Sequence, residues 1–256
     1  MRRVMALLFS LSVLILPVRA VQGRKYVALT FDDGPSGRYT RTLLDGLYDR
    51  GAKATFLLCG YRLKDYPDIA QRIFEEGHEI GLHGYSHDSM KNMSRRTIAQ
   101  ELMDTEALLP EGCHPAFLRP PGGFSSDAVQ QVAQARGLAI LHWSVDPHDW
   151  ETHNKQAIEK AVLQQVKDGD IILLHDMTMS SVEAALEIVD VLLKQDYEFV
   201  TASELARLRG TRPKPGITYK KFPNMKENIK SAVGEGLDPP LQLILYFLSY
   251  WETSYR

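Results

Sequence analysis

Two adjacent carboxylates, Asp32 and Asp33, stand at the end of an apolar segment and directly before the turn-forming pair Gly34-Pro35. Neighbouring residues of a strand point to opposite faces, so both carboxylates can serve one site only because the chain turns immediately after them. Standing alone, the same four residues would be better explained by an exposed Asx turn with two solvated acids. The pair becomes a candidate for chemistry through the residues that follow it.

Two histidines, His83 and His87, follow with a spacing of four residues. That spacing places both imidazoles on one side if the segment forms a helical turn. Two imidazoles and a carboxylate are a typical ligand set of catalytic zinc, and three protein ligands leave a coordination position at which a water acquires a low pKa. Because His-x-x-x-His also occurs as a pair of surface histidines, the prediction of a metal-dependent hydrolase depends on the aspartates.

Short apolar segments alternate with amphipathic ones after residue 24, and these must position the candidate residues. We predict strands over residues 26–31, 54–58, 79–83, 117–119, 139–145 and 170–175, with a weaker one over 198–201. Helical periodicity is found over residues 94–109, 126–136, 155–167 and 182–194. Repeated alternation of strands and helices indicates an α/β protein with a mostly parallel sheet.

Three further segments end predicted strands in order: Arg119-Pro120-Pro121-Gly122-Gly123, Asp146-Pro147-His148-Asp149-Trp150 and Leu173-Leu174-His175. Together with the aspartate and histidine pairs, they resemble the five ordered motifs of polysaccharide deacetylases with the NodB homology domain, carbohydrate esterase family 4, over about residues 24–209. The resemblance implies a distorted (β/α) barrel of about seven parallel strands, with the site at the carboxyl ends of the strands. It also implies hydrolysis of an acetamide.

The resemblance assigns the metal to Asp33, His83 and His87. Zn²⁺ is the expected ion, although another divalent transition metal fits the same ligands. Asp32 is expected to stay unligated and to act as general base on the attacking water.

Proton donation and orientation are assigned to four further side chains. His175 matches the family's general acid, which an amide nitrogen needs in order to leave. Asp149 is expected to favour the imidazolium of His175, with Asp146 as the reserve candidate. Arg119 is expected to orient Asp32, because its planar fork suits a carboxylate.

The residues expected to contact substrate are Trp150, Leu173, Gly122 and Tyr85. Trp150 and Leu173 resemble the family's apolar wall around the acetyl methyl group. Gly122 matches a position whose backbone N–H stabilises the developing oxyanion.

Three positions depart from the family's pattern. Leu82 stands where Asn is usual, Gly84 where Ser or Thr is usual, and Gly122 where an aromatic residue is frequent. None of these changes removes a metal ligand or a proton carrier. We therefore expect the rigidity of the loop and the binding of the sugar to differ from those of the family, whereas the catalytic chemistry should be retained.

The bulk composition of the 256 residues fits one large domain or two small ones, with 44% hydrophobic and 24% charged residues. A formal net charge of −2, with no basic and aromatic pattern, excludes nucleic acid as the expected partner. Cys59 and Cys113 lack metal-site spacing, and although export would permit a disulfide, we predict two free, buried thiols. No feature predicts the oligomeric state.

The two ends of the chain differ from the segment between them. Arg2 and Arg3, an apolar run over 4–16 and the small residue Ala20 predict a signal peptide over residues 1–20 and export; retention as an anchor is the alternative. Residues 210–256 are predicted to be a basic, proline-containing linker and an apolar tail of unknown role. The tail would dock on the core or make a weak contact with an anionic envelope surface.

Several functions fit these observations. Export favours peptidoglycan as the acetylated polysaccharide, and chitin or its oligomers come next. The same water and acid would also serve an esterase that removes O-acetyl groups from xylan. A silent glycan-binding domain is the non-enzyme alternative, and the presence of every ligand, base and acid argues against it.

Overall fold

The computed structural model describes residues 24–224. Its strands are β1 Lys25–Asp32, β2 Ala54–Leu58, β3 Glu79–Leu82, β4 Phe117–Leu118, β5 Ala139–Leu141, β6 Ile171–His175, β7 Tyr197–Phe199 and β8 Thr218–Tyr219. Its α-helices are α1 Gly37–Asp49, α2 Gly60–Asp65, α3 Pro67–Glu75, α4 Arg95–Glu106, α5 Asp127–Ala135, α6 Asp149–Thr152, α7 Lys155–Gln165, α8 Met179–Leu193 and α9 Ala202–Leu208. Two 3-10 turns cover Met90–Asn92 and Pro121–Gly123.

The strands form one parallel sheet in the order β6-β1-β2-β3-β4-β5-β8, and β7 also pairs with β1. Helices cover the sheet, so its central strands are mostly apolar, and every residue of β2 is buried. A parallel bridge between Val145 and Ile172 brings the segment after β5 beside β6, so the sheet curls back on itself. The predicted distorted (β/α) barrel of about seven parallel strands is confirmed.

Side-chain caps set the starts of several helices. Ser94 and Ser126 accept hydrogen bonds from the backbone N–H groups of the first turns of α4 and α5, close to the predicted starts. Helix α8 begins at Met179, three residues before the predicted 182, because Thr178 Oγ1 accepts from Ser181 N at 3.2 Å. The apolar periodicity starts later than the cap does.

Strand β5 ends at Leu141 instead of the predicted 145. The carbonyl oxygens of Leu141 and His142 accept hydrogen bonds from the Arg119 guanidinium at 2.8 and 3.0 Å. The chain leaves regular pairing here and turns toward the next motif.

Residues 210–224 belong to the barrel, whereas the sequence predicted a linker from residue 210. Strand β8 pairs in parallel with β5, and Phe222 is 1% exposed in the core. Phe222 N donates to Gly169 O at 2.8 Å, which ties this segment to the start of β6. The described part of the domain therefore extends past residue 209.

The predictions for residues 1–20 and for the tail from residue 225 lie outside the described residues. None of the helices within residues 24–224 has the length and apolar character that crossing a bilayer requires. Both cysteines are free thiols as predicted, with Cys59 buried and Cys113 half-buried.

Candidate active site

Three side chains from the ends of β1 and β3 form a cluster that suits a metal ion. Asp33 Oδ1 lies 3.2 Å from His83 Nε2 and 2.9 Å from His87 Nε2. One ligand atom from each residue falls within 4.8 Å of the others. Asp33 and His87 both adopt left-handed backbone conformations, with φ of 70° and 66°, which turn their side chains back over the sheet edge.

The hydrogen bond of His83 Nδ1 shows how a cation would fit this cluster. His83 Nδ1 lies 2.7 Å from the carbonyl oxygen of Arg119, which can only accept, so the proton sits on Nδ1. When His83 is neutral, the lone pair of Nε2 is directed at the carboxylate of Asp33. Asp33 Oδ1 is buried and makes no hydrogen bond within residues 24–224. Two facing lone-pair donors are stabilised by a positive ion between them.

When the two histidines carry protons instead, charge coupling holds Asp33 in its anionic form. Burial opposes ionisation of Asp33, but the neighbouring His83 and His87 outweigh it and hold the pKa of the carboxyl well below its usual range. The contact with Asp33 raises the pKa of His87 against the effect of burial. The carboxylate is thus available as an anionic ligand.

Asp32 lies beside this cluster and is paired with a cation below it. Arg119 is fully buried, and its Nη1 donates to Asp32 Oδ1 at 2.5 Å and to Thr30 Oγ1 at 2.9 Å. Asp32 is 3% exposed, and its second oxygen, Oδ2, lies 3.8 Å from His83 Nε2. One carboxylate oxygen is therefore fixed by Arg119 and the other faces the metal ligands.

His175 and Asp149 form a second charged pair on another part of the rim. Asp149 Oδ1 lies 2.8 Å from His175 Nδ1, and Asp149 Oδ2 accepts from the backbone N–H of His175 at 2.8 Å. Burial lowers the pKa of His175, but the hydrogen bond and charge of the fully buried Asp149 outweigh it and raise the pKa to about 9. Because Nδ1 faces Asp149, the free Nε2 is the atom that can give a proton to a ligand.

These side chains converge on a cleft of about 360 Å³ at the carboxyl ends of the strands. The cleft is lined by Asp32, Asp33, His83, His87, Gly122, Trp143, Asp146, Trp150, Leu173 and His175. Leu173 is buried, whereas Trp150 is 54% exposed. Asp146, the reserve partner of His175, instead accepts from His148 N at 2.9 Å within its own loop.

Tyr85 and Trp143 are placed differently from what the sequence predicted. Tyr85 was expected to contact substrate, but it is not among the side chains that line the cleft. Its ring packs against Gly60, where a Cβ would lie 2.2 Å from the Tyr85 ring.

Trp143 was overlooked and does line the cleft, with its ring 5.5 Å from the Arg119 guanidinium. An aromatic residue three positions before Asp146, at the end of the predicted strand, was the signal that could have found it.

A buried acid, Asp176, lies under the turn that presents the two aspartates. Its carboxylate accepts from Thr40 Oγ1, and its backbone carbonyl accepts from Ser36 Oγ. A Cβ on Gly34 would lie 2.8 Å from Asp176 Oδ1, so the turn rests directly on this carboxyl group. Complete burial raises the pKa of Asp176 to about 7. Its position next to His175 was the sequence signal for it.

A curled parallel sheet that opens a His-His-Asp cluster between a carboxylate and an imidazole–carboxylate pair has the arrangement of a metal-dependent hydrolase. This is the class that fold and site together define.

The family follows from comparison with known proteins. Residues 19–141 match the sequence model of polysaccharide deacetylases. A peptidoglycan-N-acetylglucosamine deacetylase of Bacillus cereus is 38% identical, with 72% of this chain and 90% of that protein covered. A peptidoglycan-N-acetylmuramic acid deacetylase of Bacillus subtilis is 36% identical over 74% of this chain, which spans 40% of that protein's length.

A solved structure shows the same relationship. A family 4 acetyl xylan esterase from Clostridium thermocellum, in complex with a cobalt ion, matches with a TM-score of 0.73 and 36% identity. The match covers 78% of this chain and 100% of the esterase chain. The chain belongs to the polysaccharide deacetylases of carbohydrate esterase family 4, as the five motifs predicted.

Proposed function

We propose that this protein is a metal-dependent deacetylase that removes acetyl groups from N-acetylglucosamine units of a polysaccharide, with peptidoglycan as the favoured substrate. The observation that carries the proposal is the convergence of Asp33, His83 and His87 on one cleft between Asp32 and His175. The names of the Bacillus relatives support the substrate class.

The metal would be held by Asp33, His83 and His87, with Zn²⁺ the expected ion for this donor set. When bound, it would supply Lewis acidity that polarises the acetyl carbonyl and lowers the pKa of the attacking water.

Asp32 is the proposed general base. Oδ1 is committed to Arg119, so Oδ2 receives the proton as the water attacks the carbonyl carbon. The buried pairing with Arg119 keeps the carboxylate in one orientation, which removes the need to reorganise during the reaction.

His175 is the proposed general acid. An amine leaves as a neutral molecule only after it receives a proton, and His175 Nε2 would provide it while Asp149 stabilises the imidazolium. Leu173 and Trp150 would enclose the acetyl methyl group, and the Gly122 backbone N–H would stabilise the oxyanion.

Acetate release from purified glycans tests the proposal. We expect release from peptidoglycan or chitin oligomers, its loss with EDTA, and its return with Zn²⁺. Release from acetylxylan alone would favour the esterase, an alternative supported by the matching acetyl xylan esterase structure. Glycan binding by the metal-loaded protein without acetate release from any substrate would show a silent binding domain.

The metal ligands are tested by matched histidine variants. We expect His87→Gln to lower the zinc content of the purified protein, because it removes one of three ligands. His114→Gln changes an exposed histidine outside the cleft and serves as the control. Equal zinc content in both variants would contradict the ligand assignment.

Export is proposed for the same protein on the basis of residues 1–20. N-terminal sequencing of protein recovered from the envelope or the medium should find a start after Ala20. Recovery from the envelope with residues 1–20 in place would show retention, and recovery only from the cytoplasm would contradict export.

A contact of the C-terminal tail with an anionic envelope surface is proposed from the sequence of residues 225–256. Its test compares the full chain with a truncation after Asn224, which keeps β8 and Phe222 in the barrel. Equal sedimentation of both proteins with anionic liposomes and with cell walls would exclude the contact.

A further inference from the structure

Phe124 is a large apolar side chain at the mouth of the cleft that the described residues leave uncovered. It is 47% exposed. Its ring carbon Cε2 lies 3.0 Å from the position a Cβ would occupy on Gly122, and Gly122 lines the cleft. The ring therefore lies directly beside a residue that lines the candidate active site.

The turn that carries Phe124 is well anchored. Gly122 and Gly123 both have left-handed φ angles, of 66° and 71°, and Gly123 N donates to Pro120 O at 2.9 Å. A Cβ on Gly123 would lie 2.8 Å from the Trp143 ring, so the turn packs closely against the cleft wall. The exposed ring is thus presented in a defined place.

Lys91 provides a positive charge beside this ring. Its Nζ lies 5.3 Å from the centroid of the Phe124 ring. Within residues 24–224, no carboxylate lies within 4 Å of Nζ to neutralise it. Lys91 stands in the 3-10 turn that follows the metal-binding segment, and the neighbouring Met90 is fully buried and fixes that turn.

An exposed aromatic ring next to an unneutralised ammonium group suits a particular kind of ligand. The apolar C–H face of a sugar ring packs on an aromatic face, and an ammonium group attracts a carboxylate. The acetamide that reacts must lie deeper, between Asp32 and His175. The ring and the charge are therefore placed to meet a neighbouring unit of the same polymer.

We propose that Phe124 and Lys91 form a subsite for the sugar adjacent to the one that is deacetylated, and that Lys91 pairs with a carboxylate carried by that sugar. The ligand class is a glycan whose units bear carboxylate-containing substituents, such as the lactyl and peptide groups of peptidoglycan, in contrast to neutral chitin or acetylxylan. This inference rests on the proposed deacetylase function and adds a preference among its substrates.

The test compares two substrates of equal length, a peptidoglycan oligosaccharide with free carboxylates and a neutral chitin oligomer. We expect Lys91→Met to lower the ratio of kcat/KM for the carboxylated over the neutral substrate by roughly three- to tenfold, chiefly through KM. That loss should shrink as salt is added, because added salt screens an exposed charge pair. Lys91→Arg should restore the ratio.

Phe124→Ala should raise KM for both substrates by roughly two- to tenfold, and Phe124→Tyr should restore binding because the aromatic face is kept. The matched controls are Tyr48→Ala and Lys160→Met, an exposed aromatic residue and an exposed lysine outside the cleft. Kinetic constants of the two controls should equal those of the wild type.

Failure of the subsite is distinguishable from failure of the function. Wild-type protein that releases acetate while all four Phe124 and Lys91 variants behave like the controls would overturn the subsite. A loss for Lys91→Met that is equal on both substrates would overturn the carboxylate assignment. Wild-type protein that releases acetate from neither substrate would overturn the proposed function instead.

Discussion

The carboxylate on one side of the metal-ligand cluster and the imidazole on the other are both charge-paired, but they are anchored differently. Arg119, the partner of Asp32, also donates to Thr30 in β1 and to the carbonyl oxygens of Leu141 and His142. Asp149, the partner of His175, makes both of its hydrogen bonds to His175 itself. The first pair belongs to the framework of the barrel, and the second is a local contact between α6 and the end of β6.

This difference separates two tasks. A guanidinium that joins three strands fixes the position of the base, so its loss should affect folding as well as catalysis. A carboxylate that touches only one histidine sets the proton affinity of the acid, so its loss should appear chiefly in the pH dependence. Single substitutions on the Asp32 side or on the His175 side should separate these two tasks.

The largest effect is expected from Asp32→Asn. Removal of a general base costs roughly 10²- to 10⁴-fold in rate, and the loss should be seen with an acetamide substrate and with p-nitrophenyl acetate, because water must be activated for both. Zinc content should be retained, since Asp33, His83 and His87 remain. A rate near that of the wild type, with zinc bound, would reject Asp32 as the base.

His175→Gln should lower the rates on the acetamide and on p-nitrophenyl acetate by different amounts. We expect a loss on the order of 10²-fold for the acetamide, whose nitrogen must be protonated to leave, and a much smaller loss for p-nitrophenyl acetate, whose phenolate leaves unaided. Acetate and nitrophenol release by the same preparation provide the comparison. Equal losses on both substrates would contradict the assignment of His175 as the general acid that protonates the leaving nitrogen.

Arg119→Met should lower stability. The change leaves Asp32 buried without its cation, and breaking a buried pair in this way costs about 3–5 kcal/mol. Urea unfolding followed by circular dichroism measures the loss, with Arg207→Met at an exposed pair as the control. A urea midpoint equal to that of the control would show that Arg119 does not hold the barrel together.

Asp149→Asn should move the pH profile. The active acid is protonated, so kcat/KM of the wild type falls as pH rises through the pKa of His175, at no more than about 9 because a bound cation nearby lowers it. Without the Asp149 charge that pKa falls toward its ordinary value of 6.5, and the alkaline limb moves to lower pH.

The control for this shift is Asp146→Asn, which changes the reserve carboxylate. Its alkaline limb should move less than that of Asp149→Asn, because Asp146 hydrogen-bonds within its own loop and not to His175. A larger shift in Asp146→Asn would reverse the assignment. Thermal unfolding of the wild type adds a second readout, since the stabilisation from His175 is complete below pH 6.5 and is lost as pH rises through the raised pKa.

The sequence predicted the parts of the site that stand at strand ends. In a parallel sheet the carboxyl ends of the strands meet at one edge, which places Asp33 after β1, His83 after β3 and His175 at the end of β6 on the same edge. The pairing of His175 with Asp149 rather than Asp146 was also the first choice from sequence. For these positions the order of the motifs and their resemblance to the family were sufficient.

Other features depend on contacts between distant segments. Strand β8 is two residues long within a basic segment, and its place in the sheet comes from pairing with β5 and from burial of Phe222. Tyr85 stands between His83 and His87, yet its ring packs against Gly60 and is not among the side chains that line the cleft. Periodicity and motif spacing contain no information about such packing.

The contact between Gly34 and Asp176 also limits how this protein can be engineered. Because the turn after β1 has no room for a side chain above the Asp176 carboxyl group, the turn and the residue after His175 form one mechanical unit. A chimaera that receives the β1 loop from another member of the family would need the matching residue after β6 as well. Exchange of either segment alone would misplace Asp33 at one end and His175 at the other.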